Sequence, residues 1–160
     1  MTQPRALEPQ EALGLLRERV LPALERQSSL YGRLAAFGPK QDALIAQGEG
    51  EGLLRLMAER QDVVDELVGV HRALEDVRRS WDQFVQALPD ADRRELGERL
   101  DALKALAAAV HEQDTRTRER LDEVRDRVQQ SMGDLGRAKG ALRAYGGGTS
   151  RQPMHQDRQA

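Results

Sequence analysis

The chain has 160 residues, of which 39% are hydrophobic, 32% charged and 3% aromatic. That composition suits one domain with an aliphatic core and is too hydrophobic for a fully disordered chain. The formal charge of −2 excludes a global basic field for nucleic acid, and the absence of cysteine excludes disulfides and thiol catalysis.

Residues 1–8 read as a disordered leader. Pro9 suits the first helical turn, where a missing N–H costs nothing, and Glu11 favours the positive end of the helix dipole. A first apolar row then runs Leu13, Leu16, Val20, Leu24, Gln27, Tyr31, Leu34, Phe37, Gln41 and Leu44. Its phase survives Gly38-Pro39, which predicts one kinked helix, with bends at Pro22 and Pro39 where backbone bonds are lost. The run Gln47 to Gly52, with glycine at 48, 50 and 52, predicts a tight turn between antiparallel helices.

A second row steps through Leu53, Leu56, Arg60, Val63, Leu67, Val70, Leu74, Val77, Trp81, Phe84 and Leu88, predicting a helix from about Glu51 to Leu88. Pro89-Asp90 ends it, and Asp90 is the expected cap of a third helix reaching about Tyr145. The third row is Leu96, Leu100, Leu103, Ala107, Val110, Asp114, Thr117, Leu121, Val124, Val128, Ser131, Leu135, Ala138, Leu142 and Tyr145. Alternating steps of three and four are the seam of a left-handed coiled coil. The expected fold is therefore all-α: an antiparallel bundle of three long helices with coiled-coil packing, the third helix longest. It occupies 9–148, and 149–160 form a disordered tail. From Arg137 to Ala160 five basic residues face one acidic residue, so this end is basic and the rest acidic.

At ~1.5 Å per residue the second helix is roughly 57 Å long and the third roughly 80 Å. The third should draw level with the glycine turn near Gln129 or Gln130. The remainder overshoots while still carrying apolar residues, and Gly133, Gly136 and Gly140 weaken its helix by about 1 kcal/mol each. Such a segment is expected to order against a partner through Val128, Met132, Leu135, Leu142 and Tyr145. The alternatives are that the first helix folds over it or that a second copy covers it. Asp114 and Thr117 form a polar layer in the third row, read as a device that fixes helix alignment or as a hinge or recognition site.

The residues hold no recognisable catalytic site. His71, His111 and His155 lack a second ligand at metal spacing, and the carboxylates alternate with arginines in i,i+4 ladders such as Glu75–Arg79, Glu95–Arg99, Glu112–Arg116, Asp114–Arg118 and Glu123–Arg127. The Gly48–Gly52 glycines lack the Lys-Ser/Thr of a phosphate loop. A non-enzyme with no catalytic residue, no metal and no cofactor is expected. Met1–Leu7 has no apolar run and no stretch is long enough to span a membrane, so the expected location is cytoplasmic.

The segment KQDALIAQGEGEGLLRLMAERQDVVDEL, Lys40 to Leu67, resembles the FlgN family of flagellar export chaperones, with an Ala-Leu-Ile-x-x-Gly turn followed by a leucine helix and a polar Glu-Arg-Gln. ERQSSLYGRLAAF upstream and KGALRAYGGG near the end are similar to the family's first helix and closing region. Asp114 and Thr117 stand where the family often carries asparagines. The resemblance spans about residues 10 to 148. It implies a cytoplasmic type III export chaperone, monomer or homodimer, that binds hook-associated (hook–filament junction) proteins and delivers them to the flagellar export apparatus. Val128, Met132, Leu135, Leu142 and Tyr145 are then the partner-binding residues. A self-associating structural coiled-coil or adaptor protein is the alternative; neither reading involves nucleic acid or membrane insertion.

Overall fold

The computed structural model describes residues 5–146, and every regular element among them is helical. In chain order these are α1 (Pro9–Leu15), a π-turn (Leu16–Val20), α2 (Leu21–Gln47), α3 (Gly50–Ala73), α4 (Glu75–Arg79), α5 (Trp81–Ala87) and α6 (Asp90–Gly146). By internal contacts the chain divides into two compact units, the first ending at Arg118 and the second beginning at Glu119. The tail expected at 149–160, with His155, lies outside the described residues, as do the first four residues of the leader.

In the first unit, helix α1 starts at Pro9, and Glu8 and Glu11 bond reciprocally across its first turn. The bend expected at Pro22 takes the form of the π-turn just before it, where the Leu21 N–H reaches back to the Leu16 carbonyl. Pro22 offers no N–H to Glu18, and its ring would collide with that carbonyl in a regular helix; widening the turn relieves both problems. The extra residue also shifts the buried face. Upstream of the π-turn Ala12 is fully buried and Leu13 only half-buried, the reverse of the expected row. Farther along, Leu30 is buried in place of Tyr31.

Helix α2 continues unbroken through Gly38-Pro39. It ends at Gly48, whose left-handed φ of 68° lets its own N–H and that of Glu49 bond back to the carbonyls of Ile45 and Leu44. Helices α2 and α3 pack as an antiparallel hairpin across this turn. Arg26 pairs with Glu66, and the Gln41 amide donates to the Met57 sulfur at 3.0 Å.

The single second helix expected from Glu51 to Leu88 is instead three pieces, interrupted at Leu74 and Ser80. Arg19 explains the first interruption. Its guanidinium donates to the Ala73 carbonyl at 2.7 Å and to both oxygens of Asp76, at 2.7 and 2.8 Å. A side chain inserted into the helical bond ladder bends the helix at that point. At the second break Ser80 makes a tighter bond to the Val77 carbonyl. Arg93 then closes α5, donating to the carbonyls of Val85, Gln86 and Leu88. Asp90 is the first residue of α6 and not its cap; Pro89 supplies the first accepting carbonyl, to Arg93.

Two clusters form the core. The first joins Ala12, Leu16, Val20 and Leu24 to Leu74, Val77, Phe84, Leu88 and Leu96, with Leu7 packed against it. The second joins Leu30, Leu34 and Phe37 to Leu56, Val63, Leu67 and Val110. Buried Gln27 falls between the two along α2. Close approach also matters at Gly38, where a Cβ would fall 1.2 Å from the Gln113 amide nitrogen.

The second unit, as far as it is described, is the helical stretch from Glu119 to Gly146, the last part of α6.

Candidate partner-binding surface

The polar layer of the third row is built by two helices. Arg60, itself at a seam position of α3, donates to Asp114 of α6 at 2.5 Å, and its side chain is only 18% exposed. Asp114 therefore bonds across to α3, in place of the expected i,i+4 bond to Arg118. One turn on, Thr117 is buried and its hydroxyl has no partner among the described residues. Of the other expected ladders, Glu75–Arg79, Glu95–Arg99 and Glu112–Arg116 form, at 2.9, 3.1 and 2.6 Å. Arg125 pairs with Asp122 and Asp126.

Leu121 is the last half-buried residue of the third row; every described side chain after it is exposed. Exposure thus starts at Asp122, earlier than the Ser131 expected from helix lengths.

The five residues expected to bind a partner all lie on this stretch. Val128 is 51% exposed, Met132 68%, Leu135 62%, Leu142 72% and Tyr145 84%. Their steps of four, three, seven and three keep them on one helix face, which Val124 extends toward the N-terminus and Ala138 fills between Leu135 and Leu142. Among the described residues, Gly133, Gly136 and Gly140 meet no neighbouring atom within 4 Å of where a Cβ would stand. No packing therefore requires these glycines; their effect is to lower the helical propensity of the segment. The arrangement offers apolar area and backbone adaptability and no reactive group. An apolar row of this length on an exposed helix is the geometry used in helix-to-helix recognition.

Among the described residues no cluster of three or more histidines or carboxylates could hold a metal ion. No described helix is long and apolar enough to cross a membrane. His111 is exposed on α6, and its carbonyl accepts a bond from the Thr115 hydroxyl at 3.1 Å. His71, expected on a helix flank, is half-buried and lines a groove of the first unit. Sequence reasoning missed that groove; its one visible signal was Gln27, a polar residue in an apolar row.

No protein-family model matches the chain, and no curated protein and no solved structure matches it.

Proposed function

We propose that the protein is a non-enzymatic cytoplasmic export chaperone of the FlgN type. Its three helical rods form an antiparallel bundle with coiled-coil packing, and the C-terminal part of α6 covers an apolar helix of a hook–filament junction protein before handing it to the flagellar export apparatus. One observation carries the recognition half of this reading: five apolar side chains from Val128 to Tyr145, each at least half exposed, share one helix face. The identity of the client and of the export system rests on the resemblance of Lys40–Leu67 to that family.

The test is the double variant Leu135→Asp/Leu142→Asp, assayed by co-purification with a junction protein. Burying a leucine fully contributes about 1.5–3 kcal/mol. With roughly two-thirds of each side chain still exposed, the pair has about 2–4 kcal/mol left to gain on binding. Its loss weakens binding by roughly 30- to 1,000-fold, before the added cost of burying two carboxylates. Helical content should stay at the parent level. Undiminished co-purification by the folded variant removes the proposed site.

A self-associating coiled-coil or adaptor protein is the second reading, favoured by the heptad spacing that persists through the exposed stretch. Light scattering separates them. A dimer that survives micromolar dilution, with Ser131–Tyr145 protected from hydrogen exchange, supports the adaptor; a monomer with that segment unprotected supports the chaperone.

A further inference from the structure

Beside the first core cluster lies an open groove of about 490 Å³ between α2, the α3–α5 segment and α6. That volume falls within the range of small-ligand pockets, about 300–1,000 Å³. Its floor is aliphatic: Val20 and Leu24 from α2 and the turn before it, Leu74 at the Arg19-induced break, Leu100 and Leu103 from α6. The Trp81 indole forms part of the wall and stacks at a tilt on buried Phe84, with ring centroids 5.3 Å apart.

The polar groups of the groove are unmatched. Gln27 is 4% exposed, yet its side-chain amide has no hydrogen-bond partner among the described residues. The amide keeps only slight contact with solvent, and a ligand bonded to it would replace that water. Arg78 and Lys104 stand exposed on the lining, and neither has a carboxylate within ion-pair distance among the described residues. Neighbouring acids are engaged by other arginines: Asp76 by Arg19, Glu75 by Arg79 and Glu25 by Arg99. His71 supplies the remaining polar edge, and its ring makes no hydrogen bond among the described residues. Among the described residues no acidic side chain lines the groove. Apolar floor, two unpaired cations and a nearly buried free amide together describe a receptor for one chemical type, an apolar tail that carries an anion.

We infer that this groove binds a medium-chain carboxylate, with the carboxylate held by Lys104 and the Gln27 amide and the hydrocarbon laid over Val20, Leu24, Leu74 and Leu100 toward Trp81. Gln27 of α2 and Lys104 of α6 both line the groove, and close by the Arg99–Glu25 pair joins the same two helices at 3.6 Å. Arg78 adds positive potential along the tail's path. The site lies in the first unit and is independent of the exposed row on α6.

Trp81 is the chain's single tryptophan and reports on the groove directly. The full chain is titrated with decanoate below its micellar range and followed by Trp81 fluorescence and, in parallel, by calorimetry. The expected result is saturable one-to-one binding in both signals. Lys104→Gln and Arg78→Gln, both at exposed positions, should each weaken it about fivefold while the circular dichroism stays unchanged. Gln27→Leu should bind decanol better than decanoate, reversing the parent's preference. No saturable binding by either signal overturns the inference. So does equal affinity for decanoate, decanol and decyltrimethylammonium, the mark of an indiscriminate apolar crevice. A concentration-dependent dimer that blocks decanoate assigns the groove to a second copy of the chain and overturns it too.

Discussion

Replacing Gly133, Gly136 and Gly140 together by alanine isolates the intrinsic weakness of the exposed helix. At none of the three would an added methyl group meet an atom within contact distance, so no packing is lost and no clash is introduced. The whole effect is propensity, about 1 kcal/mol per position and about 3 kcal/mol for the triple variant. Local opening of the stretch around Ser131–Arg143 should therefore become harder by up to roughly a hundredfold. Amide hydrogen exchange read by mass spectrometry measures this directly, with peptides from the two core clusters as an internal control. Exchange in the core should not change. If the chaperone reading holds, client affinity rises as well, because less ordering remains to be done on binding. Unchanged exchange between Ser131 and Arg143 would refute the reasoning, since it would mean that these glycines do not limit the helix.

Three further outcomes test the rest of the fold. Asp114→Ala strands an Arg60 side chain that is only 18% exposed; with Asp114 38% exposed the cost is discounted to about 1–2 kcal/mol. Arg60→Leu/Asp114→Leu together should be near neutral in urea unfolding, and additive losses would argue against the pair. Phe84→Ala empties the centre of the first cluster, where the ring is 1% exposed, and should cost about 3–5 kcal/mol; a loss below about 1 kcal/mol would mean that the cluster is not packed as described. Asp76 is held down to about 2, chiefly by the hydrogen bond from Arg19. Because its folded value is depressed, the pair supports the fold above the ordinary aspartate range, and this support is lost as pH falls toward 2. Carboxyl NMR should show Asp76 returning toward about 3.9 in Arg19→Gln; an ordinary value already in the parent would contradict the geometry.

Much of the architecture was legible in the residues. The spacing of Leu56, Val63, Leu67, Leu74, Val77, Phe84 and Leu88 marks a buried seam, and each of these residues is buried. Helical period and apolar character act locally, so a one-dimensional pattern records them. Gly48 and Pro89 likewise punctuate the chain through their own backbone limits. The apolar row from Val128 to Tyr145 was also visible as a spacing pattern, and its side chains are exposed.

Other features depended on partners distant in sequence. Arg19 reaches Ala73 and Asp76 and breaks a helix that its own periodicity would continue. Arg60 meets Asp114 across 54 residues and so joins α3 to α6 within the first unit. The π-turn before Pro22 added one residue to a turn and exchanged Leu13 for Ala12 in the core. The groove beside Gln27 is lined from α2, the α3–α5 segment and α6, which only the tertiary fold brings together. Periodicity alone determined that this chain forms helices and, from α3 through α5, which face is apolar. Where those helices bend, how they slide past one another and what space they leave were decided by long side chains acting across the fold, whose reach no local pattern encodes.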